Sequence, residues 1–577
     1  MLKLLPYLKG YRVKTILGPL FKLIEAILEL LVPVVVAKII DEAIPAGIAG
    51  DYSLLTKYGV YMLALAAVGL LFALVAQYFA SRASMGFGTN LRKGLYEHIN
   101  TLSQADVDKF GAPSLMTRLV GDTTQCQQGV AMFIRLVTRA PFVVIGSIIM
   151  AITIAPKLSL IFIGASLLIA IILYFIMSHS FRAYGVARGL LDDVSLSVRE
   201  NLNGVRVIRA FSRGDREKAD FNRKNDKMTA ISIAIGNVSN LTNPASYAII
   251  NVAVILVLWL GGKQVYYGNL SQGSIIALVN YLTQIMIALA VLANLVVTFS
   301  RASASAKRIN EVFATPSSRL GGDGAAPDYS APAIEVKNLA FTYAGNSKST
   351  LSGINFTIEK GQTLGIVGGT GSGKSTLVQL IAGLYDVTDG EINLFGHPVS
   401  QYTAAEKNAL IGFAMQKSVL FSGTIKSNLL WRKPAASDDE LIAAIKTAQA
   451  YEFVSKKPGG LDEPVVEGGN NFSGGQKQRL NVARALVGKP DILILDDSSS
   501  ALDFATDAAL RKSLREDCKG MTTVVISQRA TSMQAMDLIL VMDDGAIVGA
   551  GTHSELLASC PEYREIYNSQ VAEEDRV

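Results

Sequence analysis

The eight residues Gly368-Gly369-Thr370-Gly371-Ser372-Gly373-Lys374-Ser375 restrict the fold of this chain more than any other stretch. An apolar, strand-like run from Leu364 to Val367 leads into them, and a helix-like run from Thr376 to Leu384 leads out. Strand, glycine-rich loop and helix in that order aim backbone N–H groups at the N-terminus of a helix, where aligned peptide dipoles favour an anion. Lys374 adds a cation for the β- and γ-phosphates of a nucleoside triphosphate, and the Ser375 hydroxyl adds a ligand for Mg²⁺. Gly368 through Thr376 form the candidate phosphate-binding set. Alone, such a loop could be a structural glycine turn. Further along, Ile492 to Asp496 reads as a buried parallel strand ending in a carboxylate, the second half of a phosphate-loop α/β domain, and Asp496 would hold Mg²⁺ through water.

Between these elements lies Phe472-Ser473-Gly474-Gly475-Gln476-Lys477-Gln478-Arg479, which resembles the signature of ATP-binding-cassette (ABC) transporters. That resemblance implies ATP and Mg²⁺ as cofactors and supplies roles for other residues. Tyr343, in Phe341-Thr342-Tyr343, would stack on adenine, although a lone Tyr after a strand is by itself more often core. Gln416 matches the family's Q-loop and would reach Mg²⁺. Leu420 to Ile425 matches the exporter run that follows, and Glu467 matches an acidic loop that meets coupling helices. Ser473, Gly474, Gly475 and Gln476 would cap the γ-phosphate of an ATP held by another subunit.

Half of the 577 residues are hydrophobic, and the apolar excess is confined to roughly the first 300. Six candidate spans are expected: Ile16 to Ile40, Tyr58 to Phe79, Leu136 to Ile154, Leu158 to Met177, Ala245 to Leu260 and Ile275 to Phe299. Lys and Arg crowd the segments after the second and fourth spans, among them Arg82, Arg92, Arg188, Arg199 and Arg206. The first outer loop instead carries Asp41, Glu42 and Asp51. By the positive-inside rule both termini face the cytoplasm of a multi-pass protein of the inner or plasma membrane. The net charge of +6 then follows from topology, and no basic-aromatic interleaving suggests nucleic acid. Cys126, Cys518 and Cys560 suggest neither a disulfide nor a metal cluster.

The expected fold is an α-helical membrane domain of six transmembrane helices, exporter type, followed by an α/β ATPase domain of the ABC type. Its domains would be a membrane domain over 1–313, a Gly- and Pro-rich linker over 314–332 and a nucleotide-binding domain over 333–577. The two long cytoplasmic segments read as helices continuing out of the membrane. By resemblance, Asp106 to Leu115 and Gly204 to Gly214 would be coupling turns; solvated charged helices fit the Arg content equally well.

Two positions depart from the family. The carboxylate after Asp496, normally Glu, is Asp497, and the switch histidine is replaced by Gln528. The four histidines, His98, His179, His397 and His553, lie elsewhere. A shorter carboxylate misplaces the attacking water, and an amide cannot carry the imidazolium charge. An intact signature beside a degenerate phosphate-loop site implies a heterodimer with a second half-transporter that carries the Glu and His. The whole chain resembles one half of heterodimeric bacterial multidrug exporters, which implies ATP-driven export of amphipathic small molecules. A pump for a specific lipid, peptide or siderophore, and an ATP-gated regulatory subunit, stay open as alternatives. Glu25 and Glu29 share a face of the first span with Lys22 nearby. They read equally as a cation-attracting wall or as an internal Lys22–Glu25 pair.

Overall fold

The computed structural model describes residues 1–316, 322, 324–498, 500–529 and 532–570. Much of the expected linker, 317–321 and 323, and the last residues, 571–577, lie outside the described residues. The chain forms two compact units: Met1–Glu97 with Pro113–Ala314, and His98–Ala112 with Thr315–Val577.

The first unit is helical. Among the described residues, five helices are long and apolar enough to cross a membrane: Ser53–Ile99, Ala112–Ile154, Pro156–Ile176, Gly214–Tyr266 and Gln272–Ala314. The helix at Arg12–Lys38 is also long, 27 residues or roughly 40 Å. It falls outside that set because Lys22, Glu25 and Glu29 interrupt its apolar run. Against the six spans expected from sequence, five helices are thus plainly apolar among the described residues, and the first expected span falls on this charged helix.

Several helices overrun a hydrocarbon core of about 30 Å: Ser53–Ile99 has 47 residues and Gln272–Ala314 has 43, roughly 70 and 65 Å. The long connections are indeed continued helix interrupted by short ones, at Gln104–Phe110 and Val205–Ala210. Ser103 caps the first of these, its Oγ accepting from the Asp106 N–H at 3.1 Å. Three single π-helical turns, Ile39–Ala43, Arg118–Asp122 and Phe133–Val137, re-aim side chains along the bundle. The bundle core is built from Leu30, Phe162, Ile169, Leu278 and Leu282, with Tyr281 donating its hydroxyl to the Leu30 carbonyl at 2.6 Å.

The second unit is a layered α/β structure. Strands β1 (Ile334–Phe341), β2 (Leu351–Ile358), β4 (Asp389–Leu394) and β5 (His397–Pro398) form an antiparallel sheet in the order β2-β1-β4-β5. Strands β3 (Thr363–Gly368), β6 (Ile411–Ala414), β9 (Ile492–Asp496), β10 (Thr522–Ile526), β11 (Leu538–Asp543) and β12 (Ala546–Gly551) form the central sheet. Its order is β12-β11-β3-β10-β9-β6, parallel except for β12 at one edge. A small ladder pairs β7 (Gly423–Thr424) with β8 (Pro464–Val465). The parallel strands are apolar through and through, as strands covered on both faces must be. One core fills the space between the two large sheets and around helix Lys374–Ile381; another gathers Leu441, Ile445, Leu480, Val482 and Leu493.

In the first unit Asp122 is only 3% exposed, set in the π turn Arg118–Asp122. It accepts from Arg308 Nε at 2.8 Å and from Ser305 Oγ at 2.9 Å, while the Arg308 side chain keeps access to solvent. Removing one partner of such a pair is costly when the remaining charge is buried. Arg308→Met, which strands a buried carboxylate, is expected to destabilise by about 3 kcal/mol. Asp122→Asn, which leaves a half-exposed guanidinium, should cost clearly less. Thermal melts of the two variants check that order; a reversed order would mean that Arg308, not Asp122, is the costly charge.

Candidate functional site

The phosphate loop leaves the end of β3, and Gly373 caps the helix Lys374–Ile381 with φ 96°, a left-handed conformation. A Cβ at Gly373 would lie 2.5 Å from Leu351 Cδ2, so sterics and backbone both demand glycine. Gly369, Thr370 and Gly371 form the exposed crest of the loop, while Ser372, Lys374 and Thr376 are buried. The Lys374 ammonium lies across the loop, donating to the carbonyls of Gly368 at 2.9 Å and Gly369 at 2.5 Å and to Ser372 Oγ at 3.2 Å. Burial lowers the Lys374 pKa, and Asp496 and Asp497 oppose that.

Strand β9 lies next but one to β3 and ends in Asp496, whose Oδ1 accepts from the Ser375 hydroxyl at 3.0 Å. The two Mg²⁺-ligand candidates, 121 residues apart in sequence, are thus in direct contact. Asp496 is 3% exposed, and burial pushes its carboxyl above the ordinary range while the Ser375 bond pulls it down.

Asp497 occupies the left-handed region at φ 47°, where Asp is better tolerated than most side chains, and its N–H donates to the Ile526 carbonyl of β10 at 3.1 Å. Its carboxylate accepts from Gln416 Nε2 at 3.3 Å, and burial raises its pKa. Gln528, two residues past β10, is exposed. Four strand ends thereby bring together the phosphate loop, Asp496, Asp497 and, after β6, Gln416.

Ser473 is the N-cap of helix Gly474–Leu486 and makes a reciprocal capping box with Gln476, its N–H donating to Gln476 Oε1 at 3.0 Å and its Oγ accepting from the Gln476 N–H at 3.3 Å. A Cβ at Gly475 would meet the Ala501 carbonyl oxygen at 3.0 Å, so this helix start presses against the segment after β9. Ser473 and Gly474 are exposed. Among the described residues, no hydrogen bond joins Ser473, Gly474, Gly475 or Gln476 to the phosphate loop.

Tyr343 is part-buried and its hydroxyl meets Thr376 Oγ1 at 3.1 Å. Its ring packs edge-on against Phe341 at 4.8 Å and Tyr385 at 5.5 Å. Sequence reasoning missed Tyr385, which donates to Asp108 Oδ2 at 2.5 Å on helix Gln104–Phe110. Burial first, and then Asp108, raise its phenol pKa. A Tyr just after the phosphate-loop helix carries no signal that separates it from core. The three rings and Asp108 belong to a cavity of about 830 Å³ that also takes in Ser103 and Lys407.

Residues 15–289 match the family of the ABC transporter transmembrane region, and residues 351–500 match the ABC transporter family. The chain belongs to the ABC transporter family. One relative, an "Uncharacterized ABC transporter ATP-binding protein" of Mycobacterium tuberculosis, is 36% identical over 98% of this chain and 97% of its own. Another of that description, from Bacillus subtilis, is 34% identical over 100% of this chain and 99% of its own. A third, the "Probable multidrug resistance ABC transporter ATP-binding/permease protein" of Bacillus subtilis, is 31% identical over 98% of this chain and 96% of its own.

This ABC chain is an exporter-type half-transporter: one membrane domain joined to one ATPase domain, a membrane-embedded transport ATPase. Its ATPase domain puts the phosphate loop where triphosphate chemistry needs it. Because burial raises the Asp496 pKa, the ionised carboxylate costs folding stability at neutral pH, a cost relieved as pH falls through the folded-state pKa. Asp496→Asn should therefore raise the melting temperature of the nucleotide-free transporter. The same change should weaken Mg²⁺-dependent ATP binding about 10- to 100-fold, the usual effect of losing a metal's outer-shell partner. Calorimetric titration with and without Mg²⁺, beside a thermal melt, checks both; unaltered Mg²⁺ dependence would remove Asp496 from the metal site.

Proposed function

We propose that this chain is one half of a heterodimeric exporter of amphipathic small molecules, contributing a degenerate ATP site and a competent signature. Helix Arg12–Lys38 is read as the first of six spans, both termini are read as cytoplasmic, and the domains run 1–313, 314–332 and 333–577. ATP would be held by Gly368 to Thr376 with Tyr343 against adenine. Mg²⁺, a hard cation that takes oxygen ligands, suits the adjoining Ser375 hydroxyl and Asp496 carboxylate with Gln416 nearby.

The observation that carries the reading is the geometry around Asp497. Its backbone is pinned in a left-handed turn against β10, so the side chain cannot gain reach by shifting the main chain. A carboxylate one methylene shorter than Glu falls short by roughly 1.5 Å. Placement errors of about 1 Å can cost 100-fold in rate. Gln528 replaces a titratable imidazole with an amide. The signature, by contrast, presents an exposed, well-capped helix N-terminus, suited to an anion held by another subunit.

A second subunit also accounts for the apolar surface at the second cytoplasmic turn, where Leu202, Val207 and Phe211 are exposed, Phe211 by 72%. The relative from Bacillus subtilis whose name includes multidrug resistance supports the choice of amphipathic cargo.

The chain alone is expected to hydrolyse ATP about 10²- to 10⁴-fold more slowly than the pair with a partner bearing Glu and His, the usual contribution of a positioned general base. Equal rates for the homodimer and the heterodimer would overturn the degenerate-site reading. In the heterodimer, Asp497→Glu should leave turnover intact or modestly higher. Gly475→Asp should all but abolish it, since it adds a carboxylate facing the partner's γ-phosphate and crowds Ala501. Steady-state ATPase assays distinguish the two; normal turnover in the Gly475 variant would mean that the signature is idle.

A further inference from the structure

The charges of helix Arg12–Lys38 are not a bare acidic wall. Lys22 Nζ pairs with Glu25 at 2.6 Å, and Glu29 pairs with Arg139 of helix Arg139–Ile154 at 2.6 Å. The sequence anticipated the first pair as one of two readings and missed the second altogether. Both carboxylates are thereby neutralised by cations of the bundle itself.

Arg135 is a further cation of this region. Arg135 sits in the π turn Phe133–Val137, directly before the Arg139–Ile154 helix, and among the described residues it has no ion pair or hydrogen bond. Its Nε is buried without a partner. The π turn packs against helix Arg12–Lys38 and helix Gln272–Ala314. A Cβ on Gly18 would lie 2.6 Å from Ile134 Cγ2, one turn before Lys22.

From Arg135 the stripe continues at helical spacing through Thr138, Arg139, Val143 and Ser147. Its direction is fixed by contacts: Arg139 meets Glu29, and Val143 packs with Ala26 and Ala288. Along it, Thr138 Oγ1, Arg139 Nε and Ser147 Oγ are also buried and unpartnered, and Gln284 Oε1 on the facing helix, one turn before Ala288, is another. Three buried donors without partners, on Arg135, Thr138 and Arg139, lie within about one helical turn inside an apolar bundle and point to an absent polar partner. With Lys22, Arg135 and Arg139 set against Glu25 and Glu29, that partner is an anion. A guanidinium offers a planar pair of donors that matches an oxyanion better than any other side chain does.

We infer that this stripe is the headgroup site for the cargo, and that the preferred cargo is an amphiphile bearing an oxyanion, carboxylate or phosphate, read chiefly by Arg135. The inference rests on the export reading above and narrows it from amphipathic compounds in general to anionic ones. It reverses one of the two readings of Glu25 and Glu29, that of a cation-attracting wall.

The test uses the full transporter, this chain with its partner half, in phosphatidylcholine nanodiscs. Stimulation of ATPase is titrated with dodecyl phosphate, dodecanoate, dodecanol and dodecyltrimethylammonium. Both anions should half-saturate at concentrations about tenfold below those of the neutral and cationic probes, one charge-assisted bond's worth of discrimination. Arg135→Gln should bring the anion-to-neutral ratio to within about twofold of unity, and Arg135→Lys should keep part of the preference. Phosphatidylglycerol added to the nanodisc should compete with the soluble anions if lipid phosphate can occupy the same site; unchanged titrations assign the site to the soluble amphiphile. Stimulation by neutral or cationic probes without anion preference would overturn this inference and leave the export reading standing. So would an Arg135→Gln variant with a lowered melting temperature and an equal shift for every probe, which would make Arg135 a structural cation. No stimulation by any amphiphile would remove the export reading itself.

Discussion

Three adjacent parallel strands, β3, β10 and β9, hold the rest of the nucleotide site in place. They pair in register, Val524 with Leu364 on one side and with Ile494 on the other, so β10 and β9 end together beside Ile366 and β3 runs two residues further into the phosphate loop. Ligand groups in an open α/β sheet collect where strand ends and crossover helices meet. Here β3 delivers the phosphate loop, β9 delivers Asp496 and Asp497, and β10 supplies the carbonyl of Ile526 that anchors Asp497. Ser375 and Asp496 can touch only because β10 spaces their strands by two ladder steps. Full burial of these strands removes any freedom to slip register, since a shift of one residue would move every side chain to the opposite face.

Much of this was legible in the chain. The phosphate loop, the strand ending in Asp496 and the serine-capped start of the signature helix are local patterns, and local patterns survive tertiary context. The apolar runs likewise marked the membrane helices, and the long proline-poor segments between them became continued helix with short turns at Gln104–Phe110 and Val205–Ala210. The first expected span falls on a long helix, Arg12–Lys38, whose three charges keep it out of the set of plainly apolar helices among the described residues. What stayed hidden is long-range. Tyr385 meeting Asp108 joins residues 277 apart, and Arg139 meeting Glu29 joins residues 110 apart. No periodicity within either segment encodes such a meeting. The left-handed turn at Asp497 and the π turns were hidden for a different reason: they are backbone states imposed by packing, and no local residue choice announces them.

The helical unit shows how few polar groups a bundle of this kind tolerates unless each has a task. Asp122 is answered by Arg308 and Ser305, Tyr281 by the Leu30 carbonyl, and Asp41 by the Gly273 N–H at 2.7 Å. Against that background the orphaned atoms between Arg135 and Ser147 stand apart. They follow one another along a single stripe, and the stripe carries a surplus of positive charge.

The nucleotide-binding unit is compatible with the proposed division of labour between two half-transporters. At the nucleotide end, the residues that grip phosphate are intact, and the two residues that would activate water are a shortened carboxylate and an amide. If that site is degenerate as proposed, the subunit would hold ATP for long periods, because binding energy would be retained while the transition-state contribution would be lost. In the proposed heterodimer, held ATP would keep the partner's phosphate loop apposed to this chain's signature. The exposed N-terminus of helix Gly474–Leu486 can then act repeatedly on the partner's site without this chain's own turnover. On that proposal clamping would fall to one chain and hydrolysis to the other. Loss of Asp497's reach is thus compatible with a working pump, whereas loss of the signature's backbone donors is not.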